Sequence, residues 1–105
     1  MIKQISNSPV KHKRLRVYMD NGKHYDFGYK SSDGKLGSTY IDHHDKTKRK
    51  NYWLRHLGNP TEKKLIKNLV PSSSLFSAML LWGEYETLEQ NAFKLNELWE
   101  AKHKN

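Results

Sequence analysis

Lys13-Arg14-Leu15-Arg16-Val17-Tyr18-Met19, then Asp20-Asn21-Gly22-Lys23, then His24-Tyr25-Asp26-Phe27-Gly28-Tyr29: these seventeen residues decide the fold. Leu15, Val17 and Met19 alternate with Arg14, Arg16 and Tyr18, the period of a half-buried strand. Tyr25, Phe27 and Tyr29 repeat that period on the far side of Asp20–Lys23. Asn-Gly between two alternating runs predicts a hairpin with a tight type I′ turn. Gly28, inside the second run, predicts a bulge or a close approach of backbone.

Outward from the hairpin, residues 1–12 contain Ser6, Asn7, Ser8 and Pro9 without periodicity, and are expected to form a flexible basic arm. Residues 13–105 are expected to form one domain. Ser31 to Ser38 reads as a loop, and Thr39-Tyr40-Ile41 as a short third strand. A helix is predicted from about Asp45 to Leu57, closed by Gly58. Along it Asp45, Arg49, Tyr52 and His56 fall on one stripe. Asn59-Pro60-Thr61-Glu62 starts a second helix, with Leu65, Ile66 and Leu69 on its buried side and Pro71 beyond its end. Leu75 to Trp82 is apolar nearly all round, so that helix is central or docks on another chain. Gly83 stops it. Thr87 and Gln90 cap a last helix with Leu88, Ala92, Leu95 and Trp99 inward. The expected class is α+β: a small N-terminal antiparallel hairpin sheet followed by three to four helices.

Charge is unevenly placed. Met1 to His56 holds 13 Lys and Arg against 5 Asp, whereas Leu57 to Asn105 holds 6 Lys against 6 Glu. All of the net +8 therefore lies in the first half. Such asymmetry points to a cationic working face on a neutral scaffold. The candidate polyanion-binding residues are Lys11, Lys13, Arg14, Arg16, Lys46, Lys48, Arg49 and Lys50, with Tyr18, Tyr40 and Tyr52 interleaved. Lysines and arginine crowding the first turns of the helix oppose its dipole and invite an external anion.

The chain has no cysteine, which excludes disulfides, thiolate metal sites and cysteine nucleophiles. No apolar run near the start suggests a signal peptide, and Leu75 to Trp82 is too short for a transmembrane segment. Phosphate-binding loops, dinucleotide fingerprints and nucleophile elbows are missing. Asp42-His43-His44-Asp45 with His56 matches no standard metal-ligand spacing and reads as a helix cap and polar surface. A small metal-dependent nuclease would have to use Asp26, Asp42, Asp45 and His43. The expectation is no catalysis, no cofactor, no metal and no small-molecule substrate.

Asp20-Asn21-Gly22-Lys23, Asp26-Phe27-Gly28, Thr39-Tyr40-Ile41-Asp42-His43, Arg49, Tyr52 and Arg55-His56, followed by Ser74, Ser77, Leu80-Leu81-Trp82-Gly83 and Thr87-Leu88, resemble short basic proteins of nucleocytoplasmic large DNA viruses. The extra polar stretch Ser32 to Gly37 departs from that pattern. The resemblance implies a minor capsid or core component of the virion, made in the host cytoplasm before packaging. Its expected partner is an acidic protein surface in the particle or nucleic acid, bound without sequence preference, and self-association through Leu75 to Trp82 is open to it.

Overall fold

The structure, a computed structural model, describes residues 1–104. The hairpin forms as expected: β2 (Leu15–Met19) pairs antiparallel with β3 (His24–Phe27), setting Leu15 opposite Phe27 and Arg16 opposite Asp26. Its turn differs from the expected type I′, which needs positive φ at both central residues. Only Gly22 is left-handed (φ 89°), and Gly22 N–H donates to Met19 C=O at 3.1 Å. This is a type I turn followed by a left-handed glycine, the longer hairpin solution.

The first residues are not an arm. They carry β1 (Ile2–Asn7), which pairs antiparallel with β2 and makes the sheet three-stranded in the order β1-β2-β3. The register shifts between Ile2 and Gln4, so Lys3 is an extra residue. That bulge puts Ile2 and Ile5 both against the core although they are three apart, which a period-two scan does not detect.

Thr39-Tyr40-Ile41, expected as a strand, instead opens a one-turn helix, α1 (Tyr40–His43). Asp42 is the reason: its carboxylate accepts from the Thr39 N–H at 2.8 Å and the Thr39 hydroxyl at 2.7 Å, which winds the chain locally. The predicted helices follow as α2 (Lys46–Leu57), α3 (Pro60–Lys67), α4 (Ser73–Phe76) and α5 (Leu88–His103). Asp45, Asn59, Ser72 and Thr87 cap them with their side chains.

Helix α4 runs directly into a π turn, Ser77–Leu81. This is the apolar segment, and it is central: Leu75, Phe76, Leu80 and Leu81 are buried between the sheet and α5, with Val17, Phe27 and Leu95 around them, and Ala78 is buried on its other side against Tyr52 and Ile66. Burying a side chain of this size contributes about 1.5–3 kcal/mol. Gly28 (φ 80°) is a close approach as expected, since a Cβ there would lie 3.0 Å from both Arg14 Cβ and Leu81 Cδ1. Gly83 ends the π turn because a Cβ would meet Met79 C=O and lie 2.6 Å from Asn91. Buried Asn91 donates to Leu80 and Tyr85 C=O at 3.0 Å each and accepts from Tyr85 N–H at 2.9 Å, stitching this turn to α5. No helix among the described residues is long and apolar enough to cross a membrane.

Candidate functional site

The Arg49–Tyr52–His56 stripe turns inward, toward the end of the π turn. Tyr52 stacks flat on Trp82, with ring centroids 4.4 Å apart and planes 4° from parallel. His56 lies 4.1 Å from the Tyr52 ring, and its Nδ1 sits 2.9 and 3.0 Å from the two Glu62 oxygens. Burial, with Glu62 nearby, pushes the Tyr52 phenol up to about 12. Trp82 also receives His43 edge-on at 5.3 Å. His43 Nδ1 accepts from Asp45 N–H at 2.9 Å, and its buried Nε2 has no hydrogen-bond partner among the described residues.

Arg49 has a structural task. Its Nε donates to Gly83 C=O at 2.8 Å and Trp82 C=O at 3.2 Å, while Trp53 Nε1 donates to the same Trp82 carbonyl at 2.7 Å. The π turn ends in unpaired carbonyls, and a cation there satisfies them and the local dipole together.

Arg14 and Arg16 are likewise consumed. Arg16 grips Asp26 across the hairpin at 2.9 and 3.2 Å, and Ser8 Oγ donates to the same carboxylate at 2.5 Å. The Arg16 guanidinium holds the Asp26 carboxyl below its usual range. Arg14 holds Asp42 at 2.8 and 2.9 Å, tying the sheet to α1. That guanidinium, with the Thr39 donors, brings the Asp42 carboxyl down to about 2.

The anion invited by the start of α2 is internal. Asp45 accepts from Thr47 and Lys48 N–H at 2.9 and 3.1 Å, and these bonds lower its carboxyl pKa. The three aspartates required by a nuclease are thus committed separately: Asp26 to Arg16, Asp42 to Arg14, Asp45 to its own helix. Among the described residues no three His, Asp or Glu side chains gather as metal ligands. Ser74 Oγ donates to Glu62 at 3.4 Å.

The remaining five candidates, all lysines, have no carboxylate within ion-pair distance among the described residues. They do not form one patch. At about 100° per residue, Lys46 and Lys50 lie roughly 160° around α2 from Lys48. Lys48 and Lys13 line a single indented region instead. Between the sheet and α2 opens a cleft of about 430 Å³, with Lys13, Tyr29, Arg55, His56 and Ser77 among its walls. A second hollow of about 260 Å³, holding Lys48 and Asn51, adjoins it through Ser38, Tyr52, Arg55 and Trp82. Glu62, occupied by His56, is the sole acid in either wall.

Arg55 lines both hollows and was not among the candidates. Its guanidinium lies 6.0 Å from the Tyr52 ring centroid and makes no hydrogen bond or ion pair among the described residues. Its place seven residues past Lys48, on the same face of α2, was the available signal. Tyr29 was expected on the core face, but the left-handed turn at Gly28 frees it, and it is 60% exposed on the cleft wall.

Neither a curated protein nor a solved structure matches the chain. A family model does match, over residues 3–56, which takes in the sheet, α1 and most of α2, including Lys13, Lys48 and Arg55. With just over half of its 105 residues covered, the chain belongs to the family of unknown function DUF5754.

Proposed function

We propose that this chain is a non-enzymatic basic interaction protein of a large DNA virus, a minor virion component whose first half holds an acidic partner: a protein surface in the particle or the genome. One observation carries the reading. Every aspartate of the first half has an internal task, which leaves its lysines without an acid to quench them. Asp20 faces the Met1 amino group at 3.3 Å, Asp26 and Asp42 face arginines, Asp45 caps α2, and Asp33 accepts from Ser31 and the Lys35 N–H. Uncompensated cations attract polyanions by Coulomb force and counterion release. The viral origin is supported by the motif resemblance alone.

The test is binding to polyglutamate and to random-sequence DNA at low and high salt. The expected result is binding to at least one, weakening steeply as salt rises, and strongly reduced when Lys11, Lys13, Lys46, Lys48 and Lys50 are changed together to alanine. No binding to either at low salt removes the proposal. Recovery of the protein with purified particles tests its location.

A further inference from the structure

We infer that the cleft between the sheet and α2 takes a single-stranded nucleic acid segment, with Arg55 and its flanking lysines on the phosphates and Tyr29 against a base. This rests on the cationic reading above and specifies what the acidic partner is.

The four arginines supply the argument. Arg14 and Arg16 have their planar forks filled by carboxylates, and Arg49 gives its Nε to two carbonyls. Arg55 alone makes no hydrogen bond or ion pair among the described residues, and it stands at the junction of the two hollows. A guanidinium matches two phosphate oxygens at once and cannot lose its charge, so a free one in a concave wall is a preformed phosphate contact. Lys13 on one side and Lys48 on the other extend the positive track along the length of the cleft. Ser38 and Ser77 add hydroxyls that make no hydrogen bond among the described residues.

Charge alone would suit any polyanion. Tyr29 narrows the choice. It is 60% exposed, and Gly37 lies close beneath it, where a Cβ would sit 3.4 Å from Tyr29 Cβ and Cδ1. The ring is thus braced while most of its surface faces the opening. Free cations beside an exposed aromatic are the pairing single strands use, whereas a duplex hides its bases and a phosphopeptide needs no stacking platform. The larger hollow, about 430 Å³, also has the dimensions of a small-ligand site, and the smaller one extends it.

Fluorescence anisotropy of a labelled oligothymidylate of about twelve nucleotides, a normal single-strand site length, tests this. The comparison probes are a duplex of equal length, a phosphoserine peptide and polyglutamate. Arg55→Ala should weaken oligothymidylate binding about tenfold and flatten its salt dependence by about 0.7 per lost phosphate contact. Arg55→Lys should fall between, keeping charge without the fork. Tyr29→Ala should weaken binding at least about fivefold with the salt slope unchanged. Tyr29→Leu, which retains bulk over Gly37, should behave like Tyr29→Ala, and Lys63→Ala on α3 like the parent. The inference is overturned if the Arg55 and Tyr29 variants bind like the parent, or if the duplex or phosphoserine peptide binds more tightly through Arg55. Failure to bind every probe at low salt would sink the broader reading too. Binding that ignores Arg55 and Tyr29 sinks this inference alone.

Discussion

Arg14 and Arg16, at the sheet, each meet a carboxylate in a two-point grip, whereas Lys46, Lys48, Lys50 and Arg55 of helix α2 meet none among the described residues. Both groups are cationic, close in sequence and equally basic on paper. The difference lies in neighbours. Arg16 has Asp26 directly across the hairpin, and Arg14 reaches Asp42 where α1 begins. Helix α2 has no acid after its cap. The two arginines of the sheet therefore serve architecture, while Lys13 and the cations of α2 other than Arg49 remain available to a partner.

The largest effect should come from removing a carboxylate from the sheet. Asp26→Ala strands the half-buried Arg16 and the buried Ser8 and should lower stability, measured by urea unfolding. A loss under about 0.5 kcal/mol would put Arg16 in the same class as the free lysines.

Arg49→Ala comes next. It leaves the Gly83 carbonyl without its donor, while the Trp82 carbonyl keeps Trp53, and should cost about 1–2 kcal/mol in the same assay. It is the exception on α2, so an unperturbed variant would return Arg49 to the binding set.

Asp42→Asn should cost about 1–2 kcal/mol, and it carries a pH signature. The folded carboxyl titrates near 2, below its usual 3.8. The stabilisation is therefore present above about pH 4 and disappears as pH falls through about 2. Urea midpoints taken across that window should fall less steeply in Asp42→Asn than in the parent. Parallel curves would mean that Arg14 gains nothing from Asp42.

The hairpin, the caps of α3 and α5, and the central apolar helix were all readable from sequence, because each depends on residues a few positions apart. What was not readable depends on distant contacts or on a break in period. Ile2 and Ile5 share a face only through the bulge at Lys3. Tyr40 joins a helix because Asp42 caps Thr39, a choice that the strand propensity of Thr-Tyr-Ile conceals. The eight-residue cation set was legible as charge but not as a surface. Which cations stay free depends on where acids and carbonyl ends arrive from later elements, as Trp82 and Gly83 do at Arg49. Arg55 was passed over for the same reason in reverse, since nothing local shows that no acceptor reaches it.

The most direct measurement compares two variants in one salt titration of oligothymidylate or mixed-sequence DNA binding. Lys13, Lys48 and Arg55 are changed together to alanine in one, and Lys63, Lys64 and Lys67 of α3 in the other. Both lose the same formal charge. The account predicts that the first loses most of its affinity and has a markedly flatter plot of log K against log salt, while the second changes little. Equal losses in the two would mean that only net charge matters, and the cleft would have no special standing.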